Sequence, residues 1–268
     1  MTSPLLAKAA PGREIVNITP ERAGWDHVGF SALRLQPGET ESLHTGQREL
    51  CVVILSGSAD VSVDGRSFAN LGTRDSVFDT VSPPAVYVPP GCAVVVRALR
   101  ASEIALCSAP AGKATHPVRL IDPASMRRSV RGKGSNTRYV CDILPHDDPG
   151  AEHLLVVEVI TPAGNSSSYP PHKHDADTPP SETQLEETYY HRLNPPQGFA
   201  FQRIYTDDRS LDEAVAVEDG DVTLVPKGYH PVAATHGYDL YYLNVMAGPV
   251  RTWKFHNAAE HEWLLAAR

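Results

Sequence analysis

The sequence predicts an all-β chain in which one β-barrel plan occurs twice. Three observations lead there. Short segments rich in β-branched and aromatic residues, bounded by Gly, Pro, Asp or Ser, recur along the whole length, as expected for short strands joined by turns. Proline supplies 23 of 268 residues, well above the usual ~5%, which favours turns over long helices. The order loop, His, Glu, strand, turn, Val-Pro-x-Gly is readable in both halves.

In chain order the strand segments of the first half are VGFSALRL, ELCVVILSG, ADVSVDG, AVYVPP, CAVVVRAL and SEIALCSAP. LLVVEVITP, AFQRIYTD, DVTLVPKG and LYYLNVMAG follow in the second. The best helical candidate is IDPASMRRSV, with Asp122 as cap and Pro123 at the first helical position. The repeat aligns PGETESLHTGQRELCVVILSG and YVPPG with PAGNSSSYPPHKHD, LEETYYHRL and LVPKGYH. The polar stretch RRSVRGKGSN reads as a connector, giving a first barrel over 1–120 and a second over 121–268.

Composition narrows the function. Twenty-four Lys and Arg against 32 Asp and Glu leave a net charge of −8, and no basic run tracks a phosphate backbone, so nucleic acid is not an expected partner. No stretch approaches the ~20 apolar residues of a membrane span, and the N-terminal segment has too short an apolar core for a secretory signal. Cys51, Cys92, Cys107 and Cys141 are scattered without a CxxC pair, and Cys51 and Cys107 lie in apolar runs as small core residues. A reduced, cytoplasmic protein is expected.

The chemistry concentrates in the second half. His172, Lys173 and His174 form His-x-His, and strand alternation puts both imidazoles on one face. Glu187 opens the next strand, and His230 follows the turn PKGYH. Three imidazoles and a carboxylate suit a divalent transition metal with positions left open for substrate; zinc, manganese, iron, cobalt and nickel all accept such ligands. Glu186 is the alternative carboxylate, but alternation places Glu187 with Tyr189 and Glu186 with Tyr190. In the first half His44 and Glu49 keep part of the pattern, while Ser42 and Ala93 stand where histidines would be. Two of four ligands are thus lost there, and a structural or interfacial role is expected. His191, His236, His256 and His261 have no catalytic pattern around them.

The order HxH, Glu, PxGxH resembles that of cupins. The runs SYPPHKHD, EETYYHRLNPPQGFAFQRIYTDD, DVTLVPKGYHPV and YDLYYLNVMAGPVRTW resemble the 5-deoxy-glucuronate isomerase family of myo-inositol catabolism. That resemblance is dense over about 150–263 and looser over 10–110. It implies a bicupin of two jelly-roll-type barrels that converts 5-deoxy-D-glucuronate, a small anionic sugar acid, to 5-dehydro-2-deoxy-D-gluconate. It also places His172, His174, Glu187 and His230 at the metal-ligand positions.

Moving hydrogen from C2 to C1 through an enediol needs a base, an acid and a stabilised oxyanion, the last supplied by a Lewis-acidic metal. Tyr189, Tyr229, Lys173 and Glu186 lie near the motifs as candidates for proton transfer. Arg203 and Arg251 are candidates for the substrate carboxylate, whose planar geometry an arginine fork matches. Exposed sheet edges make a homo-oligomer an expectation. Two other classes share the ligand shell: an O2-consuming cupin dioxygenase and a non-catalytic sugar-acid-binding cupin.

Overall fold

The computed structural model describes residues 3–112 and 116–266. Strands dominate, and the two α-helices, Pro20–Ala23 and Trp263–Ala266, are single turns of four residues. No helix among the described residues is long and apolar enough to cross a membrane.

One pair of sheets is built twice. In the first half Ala85–Val88, Arg48–Ser56, Ser102–Pro110 and Gly29–Leu35 are neighbours in that order within a larger sheet. Val222–Val225, Glu186–Asn194, Asp239–Ala247 and Leu155–Thr161 repeat the order in the second. The smaller sheets run Thr40–His44, Ala93–Ala98, Ala59–Val63, Arg66–Leu71 and Ser166–Ser167, Val232–Ala234, Phe199–Tyr205, Asp212–Glu218. Matching strands hold matching places in chain order, as a doubled jelly roll requires.

The burial of each strand follows its sequence. Arg48–Ser56 and Asp239–Ala247 are nearly continuous apolar runs and are buried on both faces. Ala93–Ala98 and Phe199–Tyr205 alternate, one face inward and one outward. Leu35, Val52, Ile54, Val61, Val86 and Val96 fill the first core. All four cysteines are buried free thiols.

Two compact units result, and they interleave in sequence rather than dividing once near residue 120. One takes in Ala10–Arg127 and Cys141–Val156; the other holds Arg128–Val140, everything from Val157 onward and the first residues up to Ala9. The expected helix over 121–130 is only a 3-10 turn, Pro123–Ser125, capped by the Asp122 side chain on Ala124 N. Arg127–Arg131, read from sequence as connector, is an edge strand. One turn of helix signal is too short to nucleate a helix, and backbone pairing takes the segment instead.

Register corrects the reading of the first half. Leu50 lies opposite Val88 just as Glu187 lies opposite Val225. Each valine opens a Val-Pro-x-Gly turn whose glycine has positive φ, 84° at Gly91 and 90° at Gly228. Leu50, a core residue, is therefore the counterpart of Glu187, and Glu49 matches Glu186. A further ligand is gone, beyond those at Ser42 and Ala93.

Glu49 is instead a buried clamp. Its Oε1 accepts from the backbone N–H groups of His153 and Leu154, both at 2.6 Å, and its Oε2 from Glu152 N at 2.8 Å and the Tyr87 hydroxyl at 2.7 Å. His44 is exposed, with Nδ1 accepting from Gly46 N. Among the described residues no cluster of metal-ligating side chains exists in this half.

Candidate metal centre

Three separate segments deliver the histidines and Glu187 of the second half. His172 and Lys173 form a two-residue strand paired with His256–Asn257, and His174 follows it. Glu187 is the second residue of Glu186–Asn194, and His230 comes off the turn after Val222–Val225. The ligand nitrogens of His172, His174 and His230 all lie within 4.8 Å of one another. Glu187 Oε2 sits 3.0 Å from His174 Nε2 and 3.2 Å from His230 Nε2. Of the two adjacent glutamates, Glu187 is the one that converges on the histidines.

Backbone carbonyls set the ring orientations. Nδ1 of His174 is 3.0 Å from Leu185 O, that of His230 is 2.8 Å from Gly228 O, and that of His172 is 3.4 Å from Pro170 O. A carbonyl only accepts, so each Nδ1 carries the proton and each Nε2 offers a lone pair. Lone pairs facing a carboxylate at 3.0 and 3.2 Å repel unless positive charge lies between them. His230 Nε2 is buried with no hydrogen-bond partner. These residues fit a divalent cation, with the carbonyls holding the imidazoles for it.

The electrostatics agree. Burial opposes the charge of Glu187, yet the His174 and His230 imidazoles beside it outweigh burial and hold its carboxyl at about 2. Burial likewise opposes charge on His174, but the Glu187 carboxylate raises its pKa. His172 is pushed well below the ordinary value by burial, then by His230 and His174. One shared cation satisfies such a cluster better than three separate protons.

The turn that presents His230 requires glycine. At φ 90° a Cβ on Gly228 would stand 2.5 Å from Tyr205 O. Tyr205 and Tyr229 exchange backbone hydrogen bonds of 2.9 and 2.8 Å there, and Gln202 Nε2 donates to His230 O. Gly228→Ala combines strain with a clash, so a loss of about 2 kcal/mol or more is expected, with weakened metal retention. Thermal melting and metal analysis of the purified variant check both; an unchanged melting temperature would refute the strain.

A cavity of about 280 Å3 adjoins the centre, its wall including His172, Glu187, Tyr189, Tyr242 and Asn244. Tyr189 is buried, with its hydroxyl 3.1 Å from Ser168 Oγ and its ring 5.8 Å from that of His230. The other sequence candidates for proton transfer are not on this wall. Lys173 pairs with Asp175 at 2.8 Å, Asp207 at 3.4 Å and Glu182 at 3.6 Å. Asp175 also accepts from Gly228 N, so Lys173 braces the His-x-His segment against the His230 turn. Tyr229 donates its hydroxyl to Asp207, and Glu186 lies buried on the opposite face of its strand.

Neither candidate arginine lines the cavity. Arg203 is exposed, forks onto Asp212 with two bonds of 2.7 Å and covers the Tyr205 ring at 4.5 Å. Arg251 is half-buried in the segment after Asp239–Ala247. The arginines on the wall are Arg131, inside the stretch whose polarity reads as connector, and Arg138, two residues beyond it. Tyr242 and Asn244 were also missed; period-2 alternation along Asp239–Ala247 puts both on one face and was the available signal. His191, unassigned from sequence, is fully buried, with Nε2 2.9 Å from Thr223 Oγ1 and burial holding its pKa down to about 3.

The profile of the KduI/IolB family matches residues 4–264. A Geobacillus kaustophilus protein named 5-deoxy-glucuronate isomerase is 50% identical over 270 residues, spanning 100% of this chain and 97% of that one. One of the same name from Halalkalibacterium halodurans is 48% identical, spanning 99% and 98%. The crystal structure of an IolB-like protein from Salmonella typhimurium superposes with a TM-score of 0.95 at 49% identity, covering 97% of this chain and 99% of the other. Oxalate decarboxylase from Bacillus subtilis, at 14% identity and a TM-score of 0.67 over 96% and 80% of the two chains, shares the bicupin fold. With half its residues matched across essentially its whole length, the chain belongs to the KduI/IolB family.

Proposed function

We propose that this chain isomerises 5-deoxy-D-glucuronate to 5-dehydro-2-deoxy-D-gluconate, an aldose-to-ketose conversion, at one divalent metal centre held by His172, His174, Glu187 and His230. The convergence of imidazole lone pairs on Glu187 carries the metal part. Full-length likeness to proteins named 5-deoxy-glucuronate isomerase supports the reaction. Zinc, manganese, iron, cobalt and nickel all suit the ligand set.

A divalent ion bound there supplies a Lewis acid that stabilises charge developing on substrate oxygens. The protein does the rest. Valines 140, 157 and 159, with Trp253 and Phe255, give the cavity an apolar wall that keeps water from a reactive enediol. Burial raises the Tyr189 pKa well above its ordinary value, so its hydroxyl stays protonated and serves as a donor to a substrate oxygen. It is the one proton-transfer candidate from the sequence that reaches the wall.

Anaerobic incubation of the metal-loaded protein with 5-deoxy-D-glucuronate, followed by NMR, tests this reading. Full conversion without O2, with about one ion per chain by metal analysis, is the expected result. A strict need for O2, consumed in step with substrate, would identify a dioxygenase. Binding without turnover would identify a sugar-acid-binding protein.

A further inference from the structure

The part of the cavity wall outside the ligand set carries hydrogen-bond donors that have no charged acceptor or none at all. Arg138 lines the cavity where it runs on into a wider depression bordered by Lys133 and Asn136. Its guanidinium donates only to neutral oxygens: Asn136 O at 3.0 Å, Asn136 Oδ1 at 3.2 Å and Tyr169 O at 3.4 Å. Among the described residues no carboxylate lies within ion-pair distance of it. Asn244 Nδ2 and Trp253 Nε1, on the same wall, are buried without hydrogen-bond partners. Arg131 adds a second cation beside the Trp253 ring. Glu187 is the only carboxylate among the lining residues, and its oxygens belong to the metal centre.

A partly buried guanidinium without counter-charge is unfavourable, and burial, then the neighbouring charge of Arg131, pushes the Arg138 pKa down. A wall that carries a guanidinium without a carboxylate and unpartnered N–H donors, and whose one carboxylate faces the histidines, suits an anionic, oxygen-rich ligand. A sugar acid has that character.

We infer that Arg138 is the specificity residue that holds the substrate carboxylate, forking onto it while the aldehyde end faces the histidines. The assignment deepens the isomerase reading and rests on it for the identity of the substrate. The bond would be a charge-assisted pair of the kind a planar guanidinium makes with a planar carboxylate. Arg203, already forked onto Asp212, has no such capacity to spare.

The test separates this assignment from the reaction. L-gulonate keeps a carboxylate at C6 and lacks the aldehyde, and D-glucitol differs from it only in replacing that carboxylate by an alcohol. Calorimetric titration of the metal-free protein should show L-gulonate binding at least tenfold tighter than D-glucitol. Arg138→Met should weaken L-gulonate by roughly 10- to 100-fold, from loss of a charged hydrogen-bonded contact, and leave D-glucitol unchanged. Arg138→Lys, which keeps the charge but not the fork, should fall between, with an unaltered circular dichroism spectrum confirming the fold. In the metal-loaded enzyme the same loss should appear in KM for 5-deoxy-D-glucuronate, with kcat changed only a few-fold.

Equal affinity of wild type for the two polyols, or an Arg138→Met variant that matches wild type in L-gulonate affinity and KM, would overturn the assignment. Wild-type protein that binds L-gulonate through Arg138 but never converts 5-deoxy-D-glucuronate would overturn the isomerase reading instead.

Discussion

His174→Ala and His230→Ala are each expected to leave a folded protein that has lost its metal and nearly all activity. Each change removes one Nε2 donor from a set that converges on Glu187 Oε2. Even residues that merely support metal ligands are worth 10- to 100-fold in affinity, so a drop of about a hundredfold or more follows for a ligand itself. Losing the ion's stabilisation of transition-state charge lowers kcat/KM by about a thousandfold. The fold should survive, because the apolar side chains of both sheets hold it. Near-ultraviolet circular dichroism, metal analysis and turnover, measured on one preparation, separate the effects. Metal content and activity that persist in both variants would rule out the assigned centre.

Glu49→Ala is expected to act in the opposite sense, on folding and not on chemistry. Glu49 is fully buried and takes hydrogen bonds from three backbone N–H groups of residues 152–154 and from Tyr87. Removing it strands those donors away from water, and each unsatisfied group costs about 1–3 kcal/mol. A loss of about 4 kcal/mol is a reasonable total once partial relaxation is allowed. Glu49→Gln should fall between, since it keeps one acceptor oxygen and points an amide donor at N–H groups that need an acceptor. Melting temperatures should order as wild type, then Gln, then Ala. A Glu49→Ala variant as stable as wild type would show that the clamp contributes little.

The candidate ligand cluster was legible in the sequence because its signals are local: His-x-His, a glutamate opening a strand and a Val-Pro-x-Gly turn. Alternation along Glu186–Asn194 sufficed to choose Glu187 over Glu186 as the residue on the Tyr189 face. The doubled order of strands was legible for a similar reason, since turn residues punctuate it. Long-range pairing was not. Nothing local reveals that Leu50 lies opposite Val88, so from sequence Glu49 reads as a remnant ligand. Arg138 has no local signal either: it follows the polar, Gly-containing stretch that reads as linker and opens the strand Arg138–Leu144 of the larger sheet. Lys173 and Tyr229 carry chemistry-bearing groups beside the motifs, and only three-dimensional packing shows that they are engaged with Asp175 and Asp207.

Leu50 and Glu187 occupy one topological position and answer to different demands. At Leu50 the demand is volume and apolarity within a packed core, so Leu50→Met should cost less than about 1.5 kcal/mol. At Glu187 nearly the same volume in glutamine would still fail, because charge and donor geometry are what the position supplies. The two copies of the plan therefore differ in how freely they can drift. The first half can change its side chains wherever shape is kept, while the second is pinned atom by atom around a point in space. Substitution tolerance, mapped position against equivalent position, should be lopsided even though the backbones match.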